Sequence, residues 1–281
     1  MINNLEKFKT VNRIENSKLE GGYRIDNGKS KSNVPLITII TATYNSEKYL
    51  EESILSLQSQ KFSDYEHIII DGGSTDKTID IIKKYENRIA YWCSNKDQGI
   101  YDAFNKGIKN SNGDIIGFLH SDDIFYSDDI IEKLCQSIGE APGIYGDLIY
   151  TNQNNINDKI RLWKSRKFNK KNFYLGWMIA HPTMYLRKEI YEIYGGYSLK
   201  FPIAADYEFM VRVLFKHNIQ CKYLPEIVTR MREGGQSSNN FKDRLKAQVE
   251  CWYAWKNNDL GFFPIWTLLK PISKINQWFL H

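Results

Sequence analysis

Apolar and β-branched residues fill positions 36–43 (Leu36-Ile37-Thr38-Ile39-Ile40-Thr41-Ala42-Thr43) almost without a break. That is the pattern of a central strand covered on both faces. Asn45 or Ser46 then stands where a helix cap belongs, ahead of Leu50, Ile54 and Leu57 on one helical face. The scheme repeats with a strand over 67–71, a Gly72-Gly73 turn, a cap at Ser74 or Thr75, and a helix carrying Ile79, Ile82 and Tyr85. A short strand over 88–93 leads to a helix with Ile100, Ala103, Phe104, Gly107 and Ile108. A strand over 114–119 leads to a helix with Ile131, Leu134, Cys135 and Ile138, capped by Ser127. Strands alternating with helices predict an α/β fold: a mostly parallel sheet with helices on both faces.

The regularity loosens beyond about residue 140. A further strand is predicted over 144–150 and a turn over 152–158, while the aromatic stretch 161–205 is expected to cover one side of a crevice and select a second substrate. A helix over 205–216 packs Phe209 or Met210 with Val213 and Leu214 and carries Asp206 in its first turn. An amphipathic helix near 241–257 presents Phe241, Leu245, Val249 and Trp252. The aromatic, lysine-bearing tail that follows suits a membrane interface, although its prolines and lysines break it too often to span a bilayer. The polar residues 1–33 read as an extension outside the sheet. The expected division is 1–33 extension, 34–240 main domain and 241–281 helical tail.

The 281 residues are 42% hydrophobic and 25% charged, an ordinary soluble composition. A net charge of +5 is too small to imply nucleic acid, though it suits an anionic surface. Cys93, Cys135, Cys221 and Cys251 stand far apart with no metal or redox spacing, as in a reduced cytoplasmic protein. Neither a signal peptide nor a spanning segment is expected.

The chemistry lies in acids at the ends of successive hydrophobic runs: Asp71, Asp97 and the pair Asp122-Asp123. In open parallel sheets ligands bind in the crevice beyond the carboxyl ends of the strands, so these acids describe one site. Its ligand is cationic, metal-bearing or rich in hydroxyl groups.

Thr43-Tyr44-Asn45, Asp71-Gly72-Gly73-Ser74-Thr75-Asp76, Asp97-Gln98-Gly99-Ile100-Tyr101, Ser121-Asp122-Asp123 and Ala205-Asp206-Tyr207-Glu208, in this order, resemble family 2 glycosyltransferases. The resemblance spans roughly residues 35–240 and implies the GT-A fold and inverting transfer of a sugar from a nucleotide-sugar donor. It implies that Asp71 accepts the imide hydrogen of a uracil-like base, favouring a UDP-sugar, with Thr43, Tyr44 and Asn45 beside that base. Asp122-Asp123 resembles the DxD element, one carboxylate meeting ribose or metal and the other holding Mg2+ or Mn2+ on the diphosphate. Many members have Asp or Asn where this chain has His120, which leaves open whether Asp122 or Asp123 is the direct ligand. Asp97 matches an acid near the donor sugar, Arg232 a phosphate-binding arginine in a basic loop with Arg230 and the glycines after it, and His181 a position facing the acceptor. Asp206 matches the base that takes the acceptor's hydroxyl proton.

Each residue also has a structural reading. Asp71 can be a strand-end turn former, Asp97 and the acid pair helix caps, the arginine loop a solvated turn, and His181 a packed core histidine.

The chain lacks the Q-x-x-R-W element and the spanning helices of processive relatives, so one sugar per encounter is expected. The acceptor is expected to be a saccharide, lipid-linked on the inner face of the cell membrane, in surface-polysaccharide (O-antigen) biosynthesis. Two alternatives stand beside this: a catalytically silent sugar-nucleotide-binding subunit, and a nucleotidyltransferase. The second would carry a basic glycine-rich loop where this chain has Thr43-Tyr44-Asn45-Ser46-Glu47.

Overall fold

The computed structural model describes residues 19–26, 36–234 and 241–261. The glycine-rich run past Gly234 and the aromatic tail from Phe262 lie outside them. In chain order the strands are β1 (Leu19–Gly21), β2 (Ile37–Thr43), β3 (Tyr65–Asp71), β4 (Tyr91–Ser94), β5 (Ile115–Phe118), β6 (Ile124–Phe125), β7 (Gly143–Thr151), β8 (Lys159–Trp163), β9 (Met184–Arg187) and β10 (Lys222–Arg232). The helices are α1 (Tyr23–Asp26), α2 (Leu50–Gln58), α3 (Thr78–Lys84), α4 (Ile100–Asn110), α5 (Ile130–Ile138), α6 (Lys170–Tyr174), α7 (Lys188–Tyr194), α8 (Ala205–Met210) and α9 (Phe241–Asn257).

All ten strands join one mixed sheet in the order β1-β4-β3-β2-β5-β9-β7-β10-β6, with β8 on β7. The run β4-β3-β2-β5 is parallel, as the alternation of strands and helices predicts. The β2 side chains divide between the two faces, as the period of a strand requires. Ile40 and Ala42 pack with Ala103 and Phe104 of α4, whereas Ile37 and Ile39 pack with Leu57 of α2 and Leu134 of α5. The chain leaves β2 toward β3 and later returns to its other side as β5, so the ends of β2 and β5 flank the switch point where a ligand crevice opens.

Three expectations change. Residues 19–26 are not outside the sheet: β1 pairs antiparallel with β4. Behind it Arg24, 5% exposed, reaches Glu66 at 3.3 Å and the carbonyl of Asn110 at 2.9 Å. A buried cation paired in this way seats a segment too polar to announce a strand. The 161–205 stretch is more than a cover, since it supplies β9, antiparallel between β5 and β7. And the caps of α2 and α3 are not the predicted ones: Tyr49 and Lys77 stand there with no side-chain bond, because Asn45 and Ser74 are used elsewhere.

The last helix is turned from its predicted face. Leu245, Val249 and Trp252 are exposed, and α9 buries Cys251, Ala254 and Trp255 instead. The Trp255 indole N–H donates to the Tyr207 hydroxyl at 2.8 Å and its ring lies against Phe173 and Phe215, which locks α9 to α8.

Candidate active site

The loops after β2 and β3 are laced together. Asn45 N–H donates to Ser74 Oγ at 2.8 Å, and Thr75 N–H donates to Asn45 Oδ1 at 2.9 Å. Glu47 N–H meets Asp76 Oδ2 at 3.1 Å, and Lys77 N–H returns to Glu47 Oε2 at 3.0 Å. The exchange holds Asn45 in a left-handed conformation, φ 48°, which asparagine tolerates. Its side-chain oxygen is thereby held by the Thr75 N–H. Thr43 is buried, whereas Tyr44, 60% exposed, faces outward.

Asp71 ends β3 at this turn. It is fully buried, and its carboxylate receives Gly73 N–H at 3.0 Å, Ser74 N–H at 2.9 Å, Ser94 Oγ–H at 2.6 Å and the Ser74 hydroxyl. These four bonds shape the turn around the carboxylate. Gly73 makes that turn possible at φ 87°. Asp97 leans over the same turn: a methyl built on Gly72 would lie 3.0 Å from its Oδ2. Its Oδ1 accepts the Gly99 N–H at 2.9 Å, ahead of α4, so it does not cap that helix. Burial raises its pKa, with Asp102 and Asp71 adding to the effect against the Gly99 N–H and Lys106.

At the end of β5 the situation reverses. Asp123 is fully buried and, among the described residues, neither carboxylate oxygen has a hydrogen-bond partner, although His120 Nδ1 stands 3.8 Å from Oδ2. Burial, then the neighbouring Asp122, drives its pKa well above the ordinary carboxylate range, against the pull of Arg232. His120, Asp122 and Asp123 each offer a ligand atom within 4.8 Å of the others. Two unpartnered oxygens with a carboxylate and an imidazole beside them form a donor set that fits a divalent cation. His120 Nε2 is likewise buried without a partner, and burial lowers its pKa against the opposing pull of Asp122 and Asp206.

Arg232 serves this loop and not open solvent. It is 4% exposed, donates to the carbonyl of Asp122 and to Glu52, and lies 4.4 Å from the Tyr49 ring centroid. It thereby clamps the loop that carries the acid pair. Arg230 lies over Tyr126 and bonds Asn157 at 2.9 Å.

Asp206 is half-buried at the start of α8, as predicted. Its Oδ1 lies 3.1 Å from the Tyr101 hydroxyl and accepts the Tyr207 N–H at 2.8 Å. Burial and the Asp206 charge keep Tyr101 protonated, able to donate to Asp206. Because His120 feels both Asp122 and Asp206, the acid pair and the α8 acid act on one locality. Behind them packs an aromatic layer of Tyr101, Phe104, Phe118 and Tyr197. His181 belongs to this layer: it is 6% exposed, its Nε2 lies 2.7 Å from Tyr197 Oη, and it stacks on Phe104 and Phe118. Burial pushes its pKa down to about 3, so it is a neutral packed histidine and not an exposed acceptor contact.

Tyr101, Ser94, Glu52 and Tyr49 join the site without having been singled out from sequence. Tyr101 stood inside a quoted motif, where its one-turn offset from Asp97 was a usable signal. The others carry no local signature.

The model of the family described as glycosyl transferase family 2 matches residues 38–194. An uncharacterised glycosyltransferase of Mycobacterium tuberculosis is 31% identical over 183 residues, covering 64% of this chain and 70% of that protein. A Mycobacterium bovis BCG protein named as a PGL/p-HBAD biosynthesis glycosyltransferase is 29% identical over 220 residues, 75% of this chain and 82% of that one. Among solved structures, Staphylococcus aureus TarS 1–349 in complex with UDP-GlcNAc superposes with a TM-score of 0.62 at 19% identity. That match covers 80% of this chain, which spans 65% of the TarS fragment. A Pyrobaculum calidifontis mannosyltransferase in complex with GDP-Man and Mn2+ gives 0.60 at 15% identity, over 88% of this chain and 72% of that one. At these identities the structures speak for the shared fold.

Proposed function

The chain belongs to glycosyl transferase family 2, and from that premise we propose that it moves one sugar, with inversion, from a nucleotide-sugar to a hydroxyl of a saccharide acceptor in a metal-dependent reaction. The observation that carries this reading is the contrast in the crevice. Asp123, without a hydrogen-bond partner among the described residues, stands beside Asp122 and His120, while Tyr101 braces Asp206 and packs on Phe104, the ring that also meets His120.

Asp122 and Asp123 would hold Mg2+ or Mn2+, with His120 as the adjacent nitrogen donor, and the bound ion would supply Lewis-acid neutralisation of the departing diphosphate. Arg232 holds the acid loop to β10 and α2, so the carboxylates keep their direction as negative charge accumulates. Tyr44, exposed beyond β2, would flank the base with Asp71 at the turn beside it, and Asp97, with an oxygen over Gly72, would meet a sugar hydroxyl. Asp206 takes the acceptor's proton as that oxygen attacks the anomeric carbon from the side opposite the nucleotide. A carboxylate is a weak base toward an alcohol, so alignment carries much of the rate.

The nucleotide-sugar complexes of TarS and the mannosyltransferase support a nucleotide-sugar donor, and the Mn2+ in the latter supports the metal. UDP is favoured as the nucleotide. Among the described residues no helix is long and apolar enough to cross a membrane. The exposed Leu245, Val249 and Trp252 support peripheral contact with the inner membrane face and a lipid-linked acceptor in surface-polysaccharide synthesis.

The test is hydrolysis of a panel of UDP-, GDP- and dTDP-sugars with Mn2+, Mg2+ or EDTA. Metal-dependent release of one nucleoside diphosphate is expected. Turnover undiminished in EDTA would overturn the metal assignment, and neither turnover nor binding of any donor would overturn the whole reading.

A further inference from the structure

The segment that presents Asp206 has no cap of its own. Ala204 stands at the N-cap of α8 and offers no side-chain acceptor. The acceptor arrives from α9. Glu250, 7% exposed, receives the backbone N–H of Ile203 at 2.9 Å and of Ala204 at 2.8 Å on Oε2, and its Oε1 is buried without a hydrogen-bond partner among the described residues. Two N–H groups converging on one carboxylate oxygen are charge-assisted bonds, and negative charge at the start of a helix is favourable.

The peptide fixed in this way is the one that meets the base. Ile203 O lies 2.9 Å from the Tyr101 hydroxyl, whose oxygen is 3.1 Å from Asp206 Oδ1. Farther along, α9 grips the same segment through Trp255 on Tyr207 and through Asn258, whose side-chain N–H donates to Glu208 Oε1 at 3.0 Å.

We propose that Glu250 is the positioning residue of the general base: by fixing the backbone of residues 203 and 204 it sets the direction in which Asp206 meets Tyr101 and the acceptor hydroxyl. The proposal rests on Asp206 being the base. Glu250 is buried, and beyond these two backbone bonds its charge is also felt by Tyr101. Glu250 supplies negative charge at the helix start, where Asp206 Oδ1 also accepts the Tyr207 N–H. Helix α9, beyond the matched 38–194 segment, is thus part of the apparatus that aligns the reaction.

The test uses the full chain and the nucleotide-sugar that turns over fastest in the donor panel, with kcat, donor KM and Tm measured for E250Q, E250D, N258A and D206N well below each Tm. E250Q keeps an acceptor oxygen at the same reach and should stay within about threefold of the parent kcat. E250D withdraws the acceptor by one methylene and should lose about 10- to 100-fold in kcat with donor KM nearly unchanged. N258A loosens the same helix contact away from residues 203 and 204, so it should lower Tm and spare kcat. If E250D does not fold, E250M removes the acceptor at similar volume and is held to the same expectation.

An E250D variant with parental kcat, or a kcat that follows Tm alike in E250D and N258A, overturns the proposal. D206N with parental kcat would overturn the base assignment and the proposal with it, whereas an inactive D206N beside an unimpaired E250D overturns the proposal alone.

Discussion

Asp71 and Asp123 lie beyond strands that flank β2 on opposite sides, and both are fully buried. Asp71 accepts four hydrogen bonds from its own turn and from Ser94. Asp123 accepts none on either oxygen among the described residues. A buried carboxylate is costly unless its lone pairs are met. The first is met by the protein, and its stabilisation is spent on the shape of a loop. The second is left to a ligand, so its desolvation remains as strain in the free protein. Burial and an acid at a strand end look the same in both, and the difference between scaffold and site lies in which partners the fold provides.

The largest effects should fall on the unsatisfied side. D206N removes the base while Tyr101 and the Tyr207 N–H keep their partner atom. It should lower kcat by about 10²- to 10⁴-fold with donor binding retained, checked by steady-state kinetics beside UDP titration calorimetry. A drop confined to KM would move Asp206 to the substrate-binding side of the comparison.

On the satisfied side the expected loss is stability. D71A strips acceptors from two backbone N–H groups and two serine hydroxyls, and should cost about 2–4 kcal/mol by urea denaturation, with activity falling through donor KM as the turn loosens. If D71A were as stable as the parent and failed only to bind UDP, direct base recognition by Asp71 would be supported.

A smaller effect comes from a third buried polar group of β3. His67 is fully buried against Thr41, and burial pushes its pKa from 6.5 down to about 3. As pH falls below about 6.5 the unfolded chain takes up a proton that the folded chain refuses until about pH 3, so stability is lost across that window. H67Q, which can still bond Thr41, should flatten the decline in unfolding free energy between pH 6.5 and 5. An unchanged slope would mean that His67 titrates normally in the fold.

Much of the frame was legible in the chain. Ile-rich runs ending in acids put Asp71 and Asp122-Asp123 at the ends of β3 and β5, and the Phe209 to Leu214 pattern put Asp206 in the first turn of α8. Hidden from it were choices made by distant partners. Nothing local says that Ser94, on β4, will donate to Asp71, or that Glu52 and the Asp122 carbonyl will occupy Arg232. The last helix misled for a similar reason. Leu245-Val249-Trp252 and Cys251-Ala254-Trp255 are both plausible apolar faces, and the bonds of Glu250, Trp255 and Asn258 to the α8 segment decide between them. Leu19-Glu20-Gly21 carries no strand pattern, and it is held by pairing with β4 and by Arg24 on Glu66.

The contrast between the two buried acids is tested most directly by thermal unfolding of the parent, D71N and D123N in EDTA and then in Mn2+ with UDP. Without metal, D123N should melt above the parent, because a buried carboxyl whose ionised form has no partner, at a cost of about 1–3 kcal/mol, is gone, whereas D71N should melt below it. Mn2+ should raise the parent Tm, by about 2.7 kcal/mol of stabilisation at a hundredfold excess over Kd, and leave D123N where it was. A D123N protein that melts below the parent in EDTA and still gains stability from Mn2+ would contradict the assignment of Asp123 to the metal.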